Sequence, residues 1–234
     1  MREFVGSKEL IQGNSRYCIW IEDDGYKSNF DISKRVALVQ KWRSESDRLA
    51  TVKLAETPEI FAEKRQPKTT YLAFPTISSE RRPYIPIKFY EPSTIASNQV
   101  YVVADAKLWL FAILTSSMHM TWIKCIGGKL ETRYRYSAAL CYNTFPIGPI
   151  SENLKVQLEE CALEILSIQE SYPDQTLAYL YDPDTMPEEL RNAHKHLDSI
   201  VENLYSKSIL NSDEERLKVL LNLYCEMIEV EKNA

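Results

Sequence analysis

Glycine is scarce in this chain, 6 among 234 residues. None stands in a glycine-rich loop of the kind that lets a backbone approach a nucleotide or S-adenosylmethionine. The Asn/Asp-Pro-Pro-aromatic tetrad of amino-group methyl transfer is also missing. Asn143-Thr144-Phe145-Pro146 shares its letters but has proline in the wrong place. There are three histidines and five cysteines, and no pair has metal-ligand spacing. Cys18, Cys125, Cys141, Cys161 and Cys225 are expected to be reduced, buried thiols, with Cys161 and Cys225 on apolar helix positions. The longest apolar stretch, around residues 100–114, is broken by Asp105 and Lys107, so it cannot span a membrane. The N-terminus has no apolar signal region, and a cytoplasmic location is expected. These absences leave no motif for catalysis, a metal or a cofactor. Asp105-Ala106-Lys107 has a nuclease-like acid-x-lysine spacing but no upstream acidic partner, and is expected to be a strand end. His119, between Met118 and Met120, is expected to be a satisfied core histidine.

What is present is uneven in charge. Residues 1–150 carry 21 Lys+Arg against 15 Asp+Glu, a net of +6. Residues 151–234 carry 7 against 18, a net of −11. The overall −5 therefore hides a basic front and an acidic back. Nucleic-acid binding needs a local basic face, not a basic protein.

The front half reads as mixed strand and helix. Strands are expected over residues 15–21, 71–74, 84–89, 100–103 and 129–136. Prolines at 75, 83, 86 and 92 limit their length. Ser33 is expected to cap a helix over residues 34–50, with Val36, Val39 and Trp42 near helical spacing. A buried helix is expected over residues 107–122. After Pro149 the pattern is helical throughout. Ser151, Pro187 and Ser212 each open an amphipathic segment. The fold class expected is α+β: a mixed domain at 1–150, then a small all-α domain at 151–234.

The most informative segment is Lys129-Leu130-Glu131-Thr132-Arg133-Tyr134-Arg135-Tyr136. As one strand it would project Lys129, Glu131, Arg133 and Arg135 to a single face, with the others toward a core. Arginine can donate twice to guanine O6 and N7, and a carboxylate can accept from cytosine N4. The plainer reading is an exposed strand in which Glu131 pairs with Arg133. Ser78-Ser79-Glu80-Arg81-Arg82 suits phosphate contacts or a polar turn before Pro83. Asn98 and Gln99 follow Ser97 in a turn, and their amides could pair with adenine N6 and N7.

Ten blocks, in order, resemble one family. They are Phe4-Val5-Gly6-Ser7-Lys8-Glu9-Leu10-Ile11, Arg16-Tyr17-Cys18-Ile19-Trp20, Leu54-Ala55-Glu56-Thr57-Pro58 and Arg65-Gln66-Pro67. Ser78-Ser79-Glu80-Arg81-Arg82, Tyr84-Ile85-Pro86-Ile87 and Leu114-Thr115-Ser116-Ser117-Met118-His119-Met120 follow. Arg133-Tyr134-Arg135-Tyr136-Ser137, Tyr142-Asn143-Thr144-Phe145-Pro146 and Tyr181-Asp182-Pro183-Asp184-Thr185-Met186-Pro187 complete the set. Together they resemble the target-recognition region and helical tail of MmeI-like restriction–modification DNA methyltransferases. Members of that family join a nuclease, an adenine-N6 methyltransferase domain using S-adenosylmethionine, this region and the tail. The resemblance implies that Glu131, Arg133 and Arg135 read bases, with Asn98, Gln99 and Thr76 as further readers. Ser78, Ser79, Arg81, Arg82, Lys88 and Lys129 are then expected to touch the DNA backbone. It further implies double-stranded DNA and the parent's methyltransferase domain as partners, with no cofactor held by this chain. The first methionine falls where the family's recognition region begins, so the catalytic domain is expected to be absent. The alternative is an interaction module that docks on a separate methyltransferase or antirestriction protein without DNA affinity of its own.

Overall fold

The computed structural model describes residues 1–233. The chain opens with β1 (Arg2–Val5), α1 (Ser7–Gln12) and β2 (Tyr17–Cys18). A helical excursion follows, α2 (Phe30–Ser44) and α3 (Leu49–Lys53). Five short strands come next: β3 (Tyr71–Pro75), β4 (Ile77–Ser78), β5 (Lys88–Tyr90), β6 (Ile95–Ala96) and β7 (Val100–Ala104). Helices α4 (Leu108–Leu114) and α5 (Ser117–Ile126) lead to the hairpin β8 (Gly128–Leu130) and β9 (Arg133–Arg135). The tail is α6 (Glu152–Glu170), α7 (Leu177–Leu180), α8 (Glu188–Glu202) and α9 (Asp213–Asn233).

The strands form three small sheets, β2-β1-β6, β5-β3-β7 and β4-β9-β8. β3 is the central strand of the second. It pairs antiparallel with β5 (Leu72 with Phe89) and with β7 (Leu72 with Val103, Pro75 with Val100). Every residue of β3 is buried, which is why its sequence is an unbroken apolar run and not an alternation. β1 pairs parallel with β6, so the N-terminus is held against the turn before β7.

Several elements differ from their sequence expectation for local reasons. The strand over residues 15–21 shrinks to Tyr17–Cys18, because β1 offers it only two paired positions. α2 begins after Asn29, whose side chain accepts from the Ile32 N–H at 3.1 Å. Ser33 instead donates its hydroxyl to the Tyr26 carbonyl. Trp42 is 70% exposed, off the half-buried Val36 and Val39 stripe. Over residues 84–89 only Lys88 and Phe89 pair, and the proline-interrupted Tyr84–Ile87 stretch is buried without a ladder partner. The helix expected over residues 107–122 is two helices. Ser116 accepts from the His119 N–H and starts a new N-terminus inside the apolar run. Cys125 and Cys225 are exposed, not buried.

The tail follows its caps. Ser151 accepts from Leu154 N–H and Ser212 from Glu215 N–H, and Pro187 stands at the start of α8. Leu158, Cys161 and Ile165 of α6 and Leu190, Ala193, Leu197 and Val201 of α8 are buried. They join the same packed core as β3, α4 and α5. α6 lies on α4, and α9 lies on α5.

A buried polar network stitches the front to the tail. Tyr84 donates its hydroxyl to Asp198 Oδ2 at 2.8 Å, and Ser117 N–H donates to Oδ1 at 2.7 Å. The Tyr84 ring stacks on His194, 4.1 Å between centroids, and the Tyr181 hydroxyl meets His194 Nε2 at 3.0 Å. Burial pushes His194 down to about 3, so it stays neutral. Burial pushes the Asp198 carboxyl up to about 6, against the bonds from Ser117 and Tyr84 that favour its charged form.

Asp198 therefore holds its proton more tightly folded than unfolded. Its contribution to stability is full below about pH 4 and is lost as pH rises through about 6. Asp198→Asn should flatten that decline in thermal melts between pH 4 and 7. Asp198→Ala strands two buried donors and should cost about 3 kcal/mol, roughly 6–12 °C in melting temperature.

Candidate nucleic-acid interface

The informative segment does not form one strand over residues 129–136. The chain reverses at Glu131 and Thr132, and β8 pairs antiparallel with β9: Gly128 with Arg135, Lys129 with Tyr134, Leu130 with Arg133. Glu131 has φ 57°, the positive value that a two-residue hairpin loop requires at its first position. Glycine usually fills that place. A glutamate there bears backbone strain of about 1–3 kcal/mol.

The reversal redistributes the side chains. Arg133 and Arg135, two residues apart on β9, do share one face. Directly opposed residues share a face too, so Leu130 and Gly128 join them. Lys129 falls on the opposite face with Tyr134, contrary to expectation. Leu130 is 41% exposed and does not enter the core, nor does the exposed Thr132. Tyr136 does, at 2%. Glu131 sits at the tip and folds back, accepting from Arg133 Nη2 at 2.7 Å. Both groups are exposed, so this ion pair is weak and opens at little cost. The Cβ position of Gly128 would lie 3.9 Å from Arg135 Cβ, so no side chain crowds Arg135 from across the ladder.

β9 also pairs with β4, Ile77 opposite Arg135 and Ser78 opposite Tyr134. Thr76, just before β4, is where three distant segments meet. Its carbonyl accepts from Tyr136 N–H at 2.9 Å, and its N–H donates to the Gln99 carbonyl at 3.2 Å. Asn98 and Gln99 are the central residues of the turn between β6 and β7, closed by Val100 N–H to Ser97 O at 3.3 Å. Both are exposed, and the buried Ser97 hydroxyl accepts from Gln99 N–H. Backbone hydrogen bonds thus join Thr76 to Gln99, in the turn with Asn98, and to Tyr136, the residue after Arg135 on the strand that also carries Arg133.

The expected backbone-contacting residues are less uniform. Ser78 is buried, and its hydroxyl accepts from Arg82 Nη1 at 3.4 Å. Arg82 is half-buried, and burial pulls its guanidinium below the usual arginine range. Ser79 accepts from Arg81 N–H and closes a tight turn. Arg81 is exposed, but its guanidinium is hydrogen-bonded to Asp184 and 3.8 Å from Asp182, both in the tail. The bond it donates to Asp184 raises its pKa. Lys129 is exposed at the start of the hairpin. Lys88 lies apart, in a cleft between α1 and the α6–α7 connection, with its ammonium 5.7 Å from the Tyr90 ring.

His119 is a core residue. Its Nδ1–H donates to the Leu114 carbonyl at 2.7 Å, Nε2 accepts from the Tyr136 hydroxyl at 3.1 Å, and burial pushes it down to about 4. Asp105 directly follows β7 and pairs with Lys107 at 3.3 Å. No cluster of three His, Cys, Asp or Glu among the described residues could hold a metal, and no helix among them is long and apolar enough to cross a membrane. Two residues of this region lie in a block that carries the resemblance, but nothing in the sequence marks them as site residues. The Ser7 hydroxyl donates to the Gln99 carbonyl and accepts from Thr76 N–H at 3.2 Å. Gly6 lies directly beneath the Gln99 amide.

Residues 1–149 match the family model "MmeI, target recognition domain", and residues 150–230 match "MmeI, C-terminal domain". DNA methyltransferase A of Bacillus subtilis (strain 168) is 47% identical over 231 residues, covering 97% of this chain and 26% of that protein. A solved structure of the Type IIL restriction-modification enzyme MmeI in complex with DNA is 39% identical, with a TM-score of 0.94. It covers 97% of this chain and 31% of that one. The chain thus spans about a quarter to a third of the length of these relatives, and it belongs to the MmeI family, of which it carries the target-recognition and C-terminal domains.

Proposed function

We propose that this chain recognises a specific site on double-stranded DNA in the cytoplasm and thereby positions an adenine for a methyltransferase domain of its parent protein. The observation that carries this reading is the backbone junction at Thr76, which ties the exposed Asn98–Gln99 turn to the strand of the exposed β8–β9 hairpin. A two-stranded ribbon of this kind fits the major groove, where base edges are distinguishable. Arg133 and Arg135 donate to guanine, Glu131 accepts from cytosine N4, and the amides of Asn98 and Gln99 and the Thr76 hydroxyl read neighbouring pairs. Lys129 and Arg81 make phosphate contacts that set register without reading sequence. Ser78, Ser79 and Arg82 act beneath them by holding the turn, and Lys88 has no role at this surface.

Residues 1–150 form the reading part and residues 151–234 the supporting part, whose net of −11 turns phosphate away. Methyl transfer and S-adenosylmethionine belong to the parent's methyltransferase domain. The residues here do not suit that cofactor. Gly6, which follows strand β1 and opens helix α1, has its open side filled by Glu9, Ser97 and Gln99.

Selection from a random duplex library tests the reading. The double change Glu131→Lys with Arg133→Asp should invert the preferred C·G pair to G·C at one position, since each bidentate contact discriminates by about 1–3 kcal/mol. Each single change should lose binding instead. An unchanged profile would leave the hairpin as a solvated ion pair. Arg81→Ala should weaken all sequences alike and lower the salt slope by about one unit. Asp184→Ala, which removes the nearer of the two carboxylates on that guanidinium and leaves Asp182 at 3.8 Å, should tighten binding. Glu131→Gly should raise the melting temperature by about 2–4 °C per kcal/mol of strain relieved, while erasing discrimination at its base pair.

A further inference from the structure

Ser7 lies outside every group of candidate base readers, yet it bonds to two of them. Its side chain has one hydrogen and two lone pairs. The hydrogen goes to the Gln99 carbonyl, and a lone pair accepts from Thr76 N–H at 3.2 Å. The two hydroxyls of Ser7 and Thr76 stand 3.4 Å apart. Since Ser7 has spent its proton, Thr76 is the donor in that pair, and the remaining lone pairs of Thr76 Oγ1 are left as acceptors. Ser7 is itself held from below. Its helix is capped by Glu9, which accepts from Gly6 N–H at 2.8 Å and pairs with Arg16 at 3.3 Å.

Gly6 contributes by having no side chain. Its φ of −122° is open to any residue, so conformational freedom is not the reason for glycine here. Space is. A Cβ would stand 2.9 Å from Gln99 Oε1, 2.9 Å from Ser97 Oγ and 2.8 Å from Glu9 Oε2. The amide of Gln99 rests in the room that Gly6 leaves.

We propose that Gly6 and Ser7 are positioning residues for base recognition: they set the Gln99 amide and the Thr76 hydroxyl relative to each other and fix Thr76 as a hydrogen-bond acceptor toward the base. This rests on the recognition reading above. A base whose edge donates, adenine N6 or cytosine N4, is then the partner of Thr76. The clasp is not needed to hold the fold, because Thr76 N–H keeps the Gln99 carbonyl and Thr76 O keeps Tyr136 N–H when Ser7 is changed. The hairpin is held separately, through β4 and β8.

The test is the base-by-base selection profile of the 234-residue chain on a random duplex library, with melting temperatures measured in parallel. Profiles of Thr76→Ala and Gln99→Ala locate the positions those residues read. Ser7→Ala should lower discrimination at those positions by about three- to tenfold, the weight of one hydrogen bond, and let Thr76 accept bases whose edge accepts. Discrimination at the Arg133 position should stay. Ser7→Thr keeps the hydroxyl on a half-exposed site and should restore the profile. Gly6→Ala crowds the side-chain ends of Gln99, Glu9 and Ser97 and should lower discrimination at the Gln99 position while leaving the Arg133 position unchanged. A profile unchanged in Ser7→Ala, a uniform loss at every position, or a fall in melting temperature that accounts for lost binding would overturn the positioning role. If the unaltered chain selects no sequence at all, the recognition reading falls, and this inference with it.

Discussion

Recognition of the kind proposed needs groups from distant parts of the chain held at fixed separations. In this protein that requirement rests on one residue's backbone. Thr76 gives its N–H to Gln99 and takes an N–H from Tyr136, so the chain at 76, 99 and 136 is joined at one point. Base edges on successive pairs are separated by a few ångströms, and a reading surface tolerates little more than about half an ångström of error. A hydrogen-bonded junction achieves that where three independent loops would not.

The junction is rigid because of what lies behind it. β3 runs straight into Thr76 and is buried along its whole length, with Tyr71, Leu72 and Ala73 fully inaccessible. Phe74 packs edge-on against Tyr136 at 4.7 Å, so the strand before the junction touches the end of the hairpin strand through side chains as well. Tyr136 in turn reaches His119 on α5. α5 is held by Asp198 of α8 through Ser117 and by α9 through the pair of Lys124 with Asp213 at 2.7 Å. The acidic tail therefore supports the surface from the far side of the core. One tail loop reaches further, where Asp184 and Asp182 hold Arg81. A phosphate would compete for that guanidinium.

What the sequence revealed was local chemistry. The caps at Ser151 and Ser212 and the proline before α8 were legible because each acts within one helical turn. The buried β3 and the core histidine at 119 were legible from the apolar residues around them. The hairpin was not. Its turn lacks the Asn-Gly or Asp-Gly that marks a two-residue loop, and alternation continues through Glu131-Thr132 as though the strand did. The positive φ at Glu131 is imposed by the β4-β9-β8 pairing, a tertiary constraint that leaves no local trace. The break between α4 and α5 did leave one, since Ser116 is a cap residue, but the apolar run on both sides masked it. The tie between Arg81 and Asp184 spans half the chain and could not be read from either segment alone. The candidate readers rest partly on resemblance, and the fold adds a backbone junction at Thr76 that joins the Gln99 turn to the hairpin strand.

The central claim is that the β8–β9 hairpin enters the major groove and that its ion pair opens there to face bases. The most direct measurement is a crystal structure of this chain bound to its selected duplex. The Arg133 guanidinium should lie within about 2.7–3.2 Å of guanine O6 and N7, with Glu131 turned from Arg133 to an adjacent cytosine N4. A complex in which the Glu131–Arg133 pair stays closed and the DNA lies on another face of the molecule would contradict it.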